Sequence, residues 1–282
     1  MTRVGLLYRE GSPEARELAS QLARWLKARG VETCSLDAQD PLPECARRPE
    51  AEWGRGLDSA VVIGGDGTLL RAAQLIDSPE VRVLGVKLGG LGFLTEVQPE
   101  EVYTALELML AGRERATERM MLEGVIRNGE EVSRFKALNE VAITCAGMPR
   151  VVDINAEIDG VFVTSFRADG VLISTPTGST AYTMAAGGPI VHPGVRCITL
   201  TQIAPHTLTS RPLVIPESSA VQVTLARPDQ SVHVTVDSQR SWPFGAGQTL
   251  EIRAAEHGIT LVSSPSMSYY DILRNKLRWG ER

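Results

Sequence analysis

No apolar run in the chain approaches the ~20 residues that a membrane-spanning helix needs. The opening residues, MTRVGLLYREGSPE, hold a charge and a short apolar stretch but no long apolar region and no small-residue cleavage site. Neither a signal peptide nor a membrane span is expected, and the reading is a cytoplasmic protein. Cysteine is scarce: Cys34, Cys45, Cys145 and Cys197 are scattered without C-x-x-C pairing. That pattern speaks for free thiols in a reducing compartment and against a disulfide framework or zinc site. His192, His206, His233 and His257 are too dispersed for a zinc cluster. Positive charge is not in excess, since 29 Lys and Arg face 34 Asp and Glu, for a formal net charge of −5. This excludes a general nucleic-acid or membrane-surface binder while leaving room for a local basic pocket. There is no internal repeat and no low-complexity tract. What is present, 282 residues with 43% hydrophobic and 22% charged side chains, is the composition of a soluble globular protein. The length suits one large domain or two ordinary ones.

The first ~118 residues alternate strand and helix patterns. RVGLLY (3–8) reads as a buried strand. Ser12 can cap a helix that starts on Pro13, carries Leu18, Leu22, Trp25 and Leu26 on one face and stops at Gly30. Residues 31–36, 59–64 and 81–88 read as further strands, and 68–76 and 99–112 as helices. Strands alternating with helices imply a mostly parallel sheet covered on both faces. From about residue 119 the period changes. Asn128-Gly129, Asp159-Gly160 and Pro228-Asp229 each stand between two alternating runs, which predicts three hairpins in an all-β sandwich or layered sheets. SYYDILRNKLRWG closes the chain with a helical pattern through Tyr270, Leu273 and Leu277. The expected organisation is an α/β domain over 1–118, a β-rich domain over 119–257 and a closing segment over 258–282 whose helix suits either.

Four stretches offer chemistry. In SAVVIGGDGTLLRAA, a buried strand runs into Gly64-Gly65-Asp66-Gly67-Thr68 and then a helix. Glycines there let a phosphate or sugar approach the main chain, and a helix opening near Thr68 points unpaired N–H groups at an anion. A carboxylate in that place repels phosphate, so its useful role is to take the proton of an attacking hydroxyl; the plainer reading is an Asp cap on a tight turn. The spacing is neither G-x-G-x-x-G nor G-x-x-x-x-G-K-[ST], which disfavours dehydrogenase and P-loop readings. GVKLGGLGFLTE (85–96) brings Gly89, Gly90 and Gly92 to the same sheet edge, with Phe93 as an apolar wall or as core. Asn139 and Glu140 interrupt an apolar β run and offer donors and acceptors matched to an adenine edge or ribose hydroxyls, or else form a satisfied strand end. RADGVLISTPTGSTAYTMAAGGPI (167–190) packs Asp169, many Ser and Thr hydroxyls and Tyr182 together. It reads as a ribose-and-phosphate cradle, with a hydroxyl-rich turn as the alternative.

In this order, GGDGT, the G-x-x-x-G-x-L-G-F-L run, the Asn-Glu pair, DGVLISTPTGSTAY and VDSQ (236–239) resemble the NAD kinase family, the ATP-NAD kinases. The resemblance spans residues 60 to about 240, and KLRWG near the end is also familiar; GGDGT alone is shared with diacylglycerol- and sphingosine-type lipid kinases and is similar to a run in phosphofructokinases. It implies transfer of the γ-phosphoryl of ATP to the 2′-hydroxyl of the adenosine ribose of NAD, giving NADP and ADP. It further implies an α/β N-terminal domain of Rossmann-like parallel sheet, a β-rich C-terminal domain with the site in the cleft between them, and a C-terminal segment that returns to the first domain. A divalent cation, usually Mg²⁺, and a homo-oligomer, dimer or tetramer, completing the site across subunits also follow from it.

By the same resemblance, Asp66 matches the base, with Gly67 beside it, and Arg71 matches a position that approaches the phosphates of NAD. Gly64, Gly65, Gly67, Thr68, Gly89, Gly90 and Gly92 match the phosphate and ATP loops. Asn139 and Glu140 match residues that hold the adenosine part, and Asp169 matches an acid at the nicotinamide-side pocket. Thr180, Ala181, Tyr182, Thr183, Met184 and Ala185 match the loop around adenine and ribose. Arg150, Arg167, Ala204 and Gln239 match further NAD-contact positions. Three residues depart from the pattern. Lys87 stands where many members have Asn, Ala185 where several have Ser, and Arg167 where some have Gly, which favours ATP over polyphosphate as donor. The readings set against this one are a lipid kinase, disfavoured by the hydroxyl-rich loop, and a non-catalytic dinucleotide-binding regulator, which needs no base at Asp66.

Overall fold

The computed structural model describes residues 2–145 and 151–280. The chain divides into two compact units, Met1–Glu118 with Ile259–Arg282, and Arg119–Gly258. The first is built on a seven-stranded sheet in the spatial order Ala46–Arg48, Glu32–Leu36, Arg3–Tyr8, Ser59–Gly64, Arg82–Lys87, Ile259–Val262, Ala116–Arg119. The first six of these pair in parallel. Chain order reverses on either side of Arg3–Tyr8 and Ser59–Gly64, and ligands of open α/β sheets bind at such a switch point, outside the carboxyl ends of the strands. Ser59–Gly64 is buried along its whole length, as a central strand covered on both faces must be.

Helix Pro13–Lys27 illustrates how local chemistry sets an element. The Ser12 hydroxyl accepts from the Ala15 N–H at 3.2 Å, Pro13 occupies the first turn, and Arg24 and Lys27 sit at the negative end of the helix dipole. Ala15, Ala19, Leu22, Ala23 and Leu26 are its buried face, with Leu18 and Trp25 half-buried beside it. Two other helices differ from expectation. The one predicted over 68–76 begins at Asp66 and ends at Leu75, and residues 99–112 split into a 3₁₀ turn, Pro99–Glu101, and helix Val102–Leu110. In the closing helix Tyr269–Leu277, capped by Ser268, the buried pair is Ile272 and Leu273, while Tyr270 is exposed.

The second unit holds two six-stranded antiparallel sheets around one shared core that includes Leu122, Ile154, Ile173, Val234 and Ile252. One runs Val161–Ala168, Val152–Ile158, Val221–Leu225, Thr249–Ala254, Leu122–Asn128, Glu131–Ala137. The other runs Leu213–Pro216, Cys197–Ile203, Gly170–Ser174, Glu140–Cys145, Ser231–Val236, Arg240–Gly245. The hairpins at Asn128-Gly129 and Asp159-Gly160 form. The one expected at Pro228-Asp229 does not: Val221–Leu225 and Ser231–Val236 belong to different sheets. Ser231–Val236 instead turns at Asp237-Ser238 to pair with Arg240–Gly245, and both turn residues take positive φ, +48° and +56°.

Candidate active site

Strand Ser59–Gly64 delivers the chain to Gly65, whose extended backbone precedes the first helical residue, Asp66. The Asp66 side chain does not cap its own helix. It reaches instead to the second glycine loop: Oδ2 accepts from the Phe93 N–H at 3.0 Å, and Oδ1 accepts from the Leu94 and Thr95 N–H groups at 3.2 and 3.1 Å and from the Thr95 hydroxyl at 2.9 Å. One carboxylate therefore ties the two glycine stretches together. Gly92 makes that approach possible, because a Cβ there would fall on Asp66 Oδ1 and Thr95 Oγ1. The other glycines and Thr68 keep the edge open: Gly67, Gly89 and Gly90 are exposed, and Thr68 donates its N–H to Gly65 O at 3.0 Å.

Three further side chains belong to this region, two of them cationic. Lys87, at the end of its strand, holds its Nζ over the turn, 3.1 Å from where a Cβ on Gly65 would stand. Arg71 is half-buried and paired, NH1 to Glu10 at 2.6 Å and NH2 to Glu50 at 3.4 Å, so its guanidinium is held by two carboxylates. Phe93 is half-buried, with Lys276 Nζ 5.5 Å from its ring centroid, so it is not core.

The other group of candidates lies in the second unit. Asn139 and Glu140 are 7% and 3% exposed, and Glu140 is the first residue of strand Glu140–Cys145. Their backbone is held by Asp237, a residue that sequence reasoning did not single out: its Oδ2 accepts from Leu138 N–H at 2.8 Å and its Oδ1 from Asn139 and Glu140 N–H at 2.8 and 3.1 Å. Burial, and then the charge of Asp237, push the Glu140 carboxyl up to about 7, against the opposing pull of the Tyr182 backbone N–H. Glu140 Oε2 is buried and has no hydrogen-bond partner among the described residues.

The 174–185 loop packs directly on this pair. Thr175 N–H donates to Asn139 O at 2.9 Å and its hydroxyl to Leu138 O at 2.6 Å, and a Cβ on Gly178 would run into Asn139 O. The hydroxyls expected to form a cradle turn inward. Ser174 and Thr183 bond each other, the Ser179 hydroxyl donates to Pro176 O, and that of Thr180 to Thr177 O. These hydroxyls find their partners inside the protein, within the loop and at Leu138 and Val191, as buried hydroxyls must. Tyr182 is 41% exposed, Ala185 is exposed, and Ala181 and Met184 are half-buried, so the loop offers backbone and an aromatic ring rather than hydroxyls.

Arg167, Asp169 and Ala204 gather elsewhere. Asp169 N–H donates to Ile203 O, and Ala204 follows with φ +45°. Arg167 is exposed, 4.0 Å from Asp153. Asp169 precedes strand Gly170–Ser174, while Glu140 pairs with its last residue, Ser174. At about 3.3 Å per residue the two acids stand at opposite ends of that strand, on the order of 15 Å apart. Gln239 lies in the Asp237 turn on the Glu140 side, and Arg150 lies outside the described residues. Among the described residues no three His, Cys, Asp or Glu side chains gather as a metal cage.

Known proteins share this arrangement of sheets and motifs. A family model for the ATP-NAD kinase N-terminal domain matches residues 4–114, and one for the ATP-NAD kinase C-terminal domain matches residues 138–264. The chain is 43% identical over 292 residues to an NAD kinase of Geobacter sulfurreducens, covering 100% of both chains. It is 41% identical to one of Solibacter usitatus, covering 99% of this chain and 98% of that one. Among solved structures, yeast NADH kinase complexed with NADH superposes with a TM-score of 0.89 at 26% identity, covering 100% of this chain and 89% of that one. An Archaeoglobus fulgidus NAD kinase in complex with ATP gives 0.78 at 25%, covering 98% and 99%. With both domain models matched and relatives above 40% identity along its whole length, the chain belongs to the NAD kinase family.

Proposed function

We propose that this chain, as an NAD kinase, moves the γ-phosphoryl of ATP to the 2′-hydroxyl of the adenosine ribose of NAD, with Asp66 as the base. The observation that carries the reading is the state of the Asp66 carboxylate. Oδ1 is filled by three donors, which fixes the group in place, while among the described residues Oδ2 accepts from the Phe93 N–H alone and keeps a lone pair for one more proton. As the ribose oxygen bonds to the γ-phosphorus, the bond from that phosphorus to the bridging oxygen of ADP breaks and the hydroxyl proton passes to Oδ2. An alcohol is a poor nucleophile at neutral pH, and a positioned base contributes about 10²–10⁴-fold. The helix that opens at Asp66 and the Lys87 ammonium supply positive potential for the phosphates.

Asn139, Glu140, the 180–185 loop and Gln239 hold the adenosine part, while Arg167, Asp169 and Ala204, at the far end of strand Gly170–Ser174, hold the nicotinamide side. Such a division suits an extended dinucleotide. Arg71 and Arg150 complete the contact set. A divalent cation, Mg²⁺ first, would be held by the nucleotide phosphates with at most one protein carboxylate, a donor set consistent with the lack of an acidic cage among the described residues. Bound there, it would neutralise charge on the transferring phosphoryl.

The Archaeoglobus relative was crystallised with ATP, which supports ATP as donor here, and Arg167 adds a preference against polyphosphate. Exposed Val161 and Phe162 on the edge strand Val161–Ala168 support a homo-oligomer. Free cysteines, and the absence among the described residues of any helix long and apolar enough to cross a membrane, are consistent with a cytoplasmic setting. The comparisons lend no support to a lipid kinase or a non-catalytic regulator. A coupled NADP-formation assay with NAD, run with ATP and then polyphosphate, tests the reading; comparable turnover with polyphosphate overturns the donor preference.

A further inference from the structure

The pair Glu140 and Asp237 is built in a way that the transfer chemistry at Asp66 does not require. Both acids are buried, 3% and 2% exposed, yet they are treated unequally. Three backbone N–H groups converge on Asp237, a density of donors that stabilises an anion. Among the described residues Glu140 faces one backbone N–H, from Tyr182, and its Oε2 has no partner. Two adjacent buried carboxylates cannot both hold full charge cheaply, so the proton goes to the one with fewer donors. We propose that Asp237 is a positioning residue that clamps the Leu138–Glu140 backbone as a fixed anion and leaves Glu140 as the member of the pair that exchanges a proton when a dinucleotide hydroxyl or amine donates to Oε2.

Among the described residues, Asp237 is the one charged group that acts on Glu140. Strand Gly170–Ser174 presents Ser174, the 175–183 loop presents Thr175 and the Tyr182 amide, and His233 of strand Ser231–Val236 lies opposite Thr144, four residues along. A donor from the ligand favours the Glu140 anion. Binding therefore expels the proton, and affinity for NAD rises as pH rises through the neutral range.

The ligand in this inference rests on the NAD kinase reading, whereas the proton placement does not, so the test separates them. Carboxyl ¹³C resonances of Glu140 and Asp237 are titrated in the ligand-free full chain, with assignment by Glu140→Gln. The expected result is a Glu140 midpoint near neutrality, Asp237 ionised throughout, and a fall of the Glu140 midpoint by ~1 pH unit or more in Asp237→Asn. A folded Asp237→Asn with an unmoved Glu140 midpoint overturns the proposal. Should that variant not fold, the wild-type titration still decides, because Asp237 taking its proton at or above the pH at which Glu140 does overturns it equally. Calorimetric NAD binding from pH 6 to 8 is expected to strengthen in the wild type and to be flat in Glu140→Gln. A flat wild-type profile overturns the link to the ligand, and failure to bind NAD at any pH counts against the NAD kinase reading alone.

Discussion

Replacing Asp66 with Asn separates the two jobs of that carboxylate. An amide can turn its oxygen toward Leu94, Thr95 and the Thr95 hydroxyl and keep three of the four hydrogen bonds, but its Nδ2 then meets the Phe93 N–H, donor against donor. One unsatisfied, partly buried donor costs about 1–3 kcal/mol. For a protein of this size that is a fall in Tm of roughly 2–12 °C, at about 2–4 °C per kcal/mol. Loss of the base lowers kcat by about 10²–10⁴-fold. Thr95→Val is the control: it removes one bond to Oδ1 while leaving Oδ2 and the charge intact, so it should lose about 1 kcal/mol of stability and keep kcat within several-fold. The assays are thermal denaturation and coupled NADP formation at saturating NAD and ATP. If Thr95→Val lowers kcat as far as Asp66→Asn does, Asp66 works as a loop anchor and the base assignment is wrong. If Asp66→Asn turns over at near wild-type rate, proton removal is not its role at all.

Three further outcomes are expected. Gly92→Ala places a methyl on the Asp66 carboxylate and the Thr95 hydroxyl, and should cut kcat by on the order of tenfold or more with a lower Tm, checked by the same two assays. Lys87→Ala removes the cation over the turn and should raise KM for the nucleotides several-fold with a small change in Tm; an unchanged KM would return Lys87 to a surface role. Glu140 makes stability depend on pH. Its folded value of about 7 lies above the ordinary 4.5, so between those limits the folded state binds more protons than the unfolded one, and stability falls as pH rises. The loss is complete above about pH 7 and amounts to about 3 kcal/mol as an upper estimate. Urea denaturation of Glu140→Gln against wild type at pH 5 and pH 8 should therefore favour the variant only at pH 8.

Local chemistry was readable wherever the interacting residues are neighbours in sequence. Ser12 and Pro13 start a helix through contacts three residues away, and Asn128-Gly129 closes a hairpin between the strands that flank it. Alternation marked Val221–Leu225 and Ser231–Val236 as strands, but alternation carries no information on which sheet a strand joins, and the two part company at Pro228-Asp229. The turn that does form a hairpin, Asp237-Ser238, has no glycine to announce its left-handed backbone. Site residues were legible through composition and resemblance, whereas their partners were not. Asp66 finds its donors 27–29 residues downstream, and Asp237 clamps a segment 97–99 residues upstream. The available hint of the second is the VDSQ run itself, in which Asp237 stands two residues before Gln239. The hydroxyls of 174–183 gave no sign of which would be used internally, and a loop that packs its backbone against Asn139 needs such acceptors and donors to stay folded.

The most direct measurement is a crystal structure of the full chain with NAD bound. The account places the ribose 2′-oxygen within hydrogen-bond reach of Asp66 Oδ2, about 3 Å, with Oδ1 still holding Leu94 and Thr95. A well-ordered dinucleotide whose 2′-oxygen lies beyond reach of that carboxylate, and faces some other base, would contradict it.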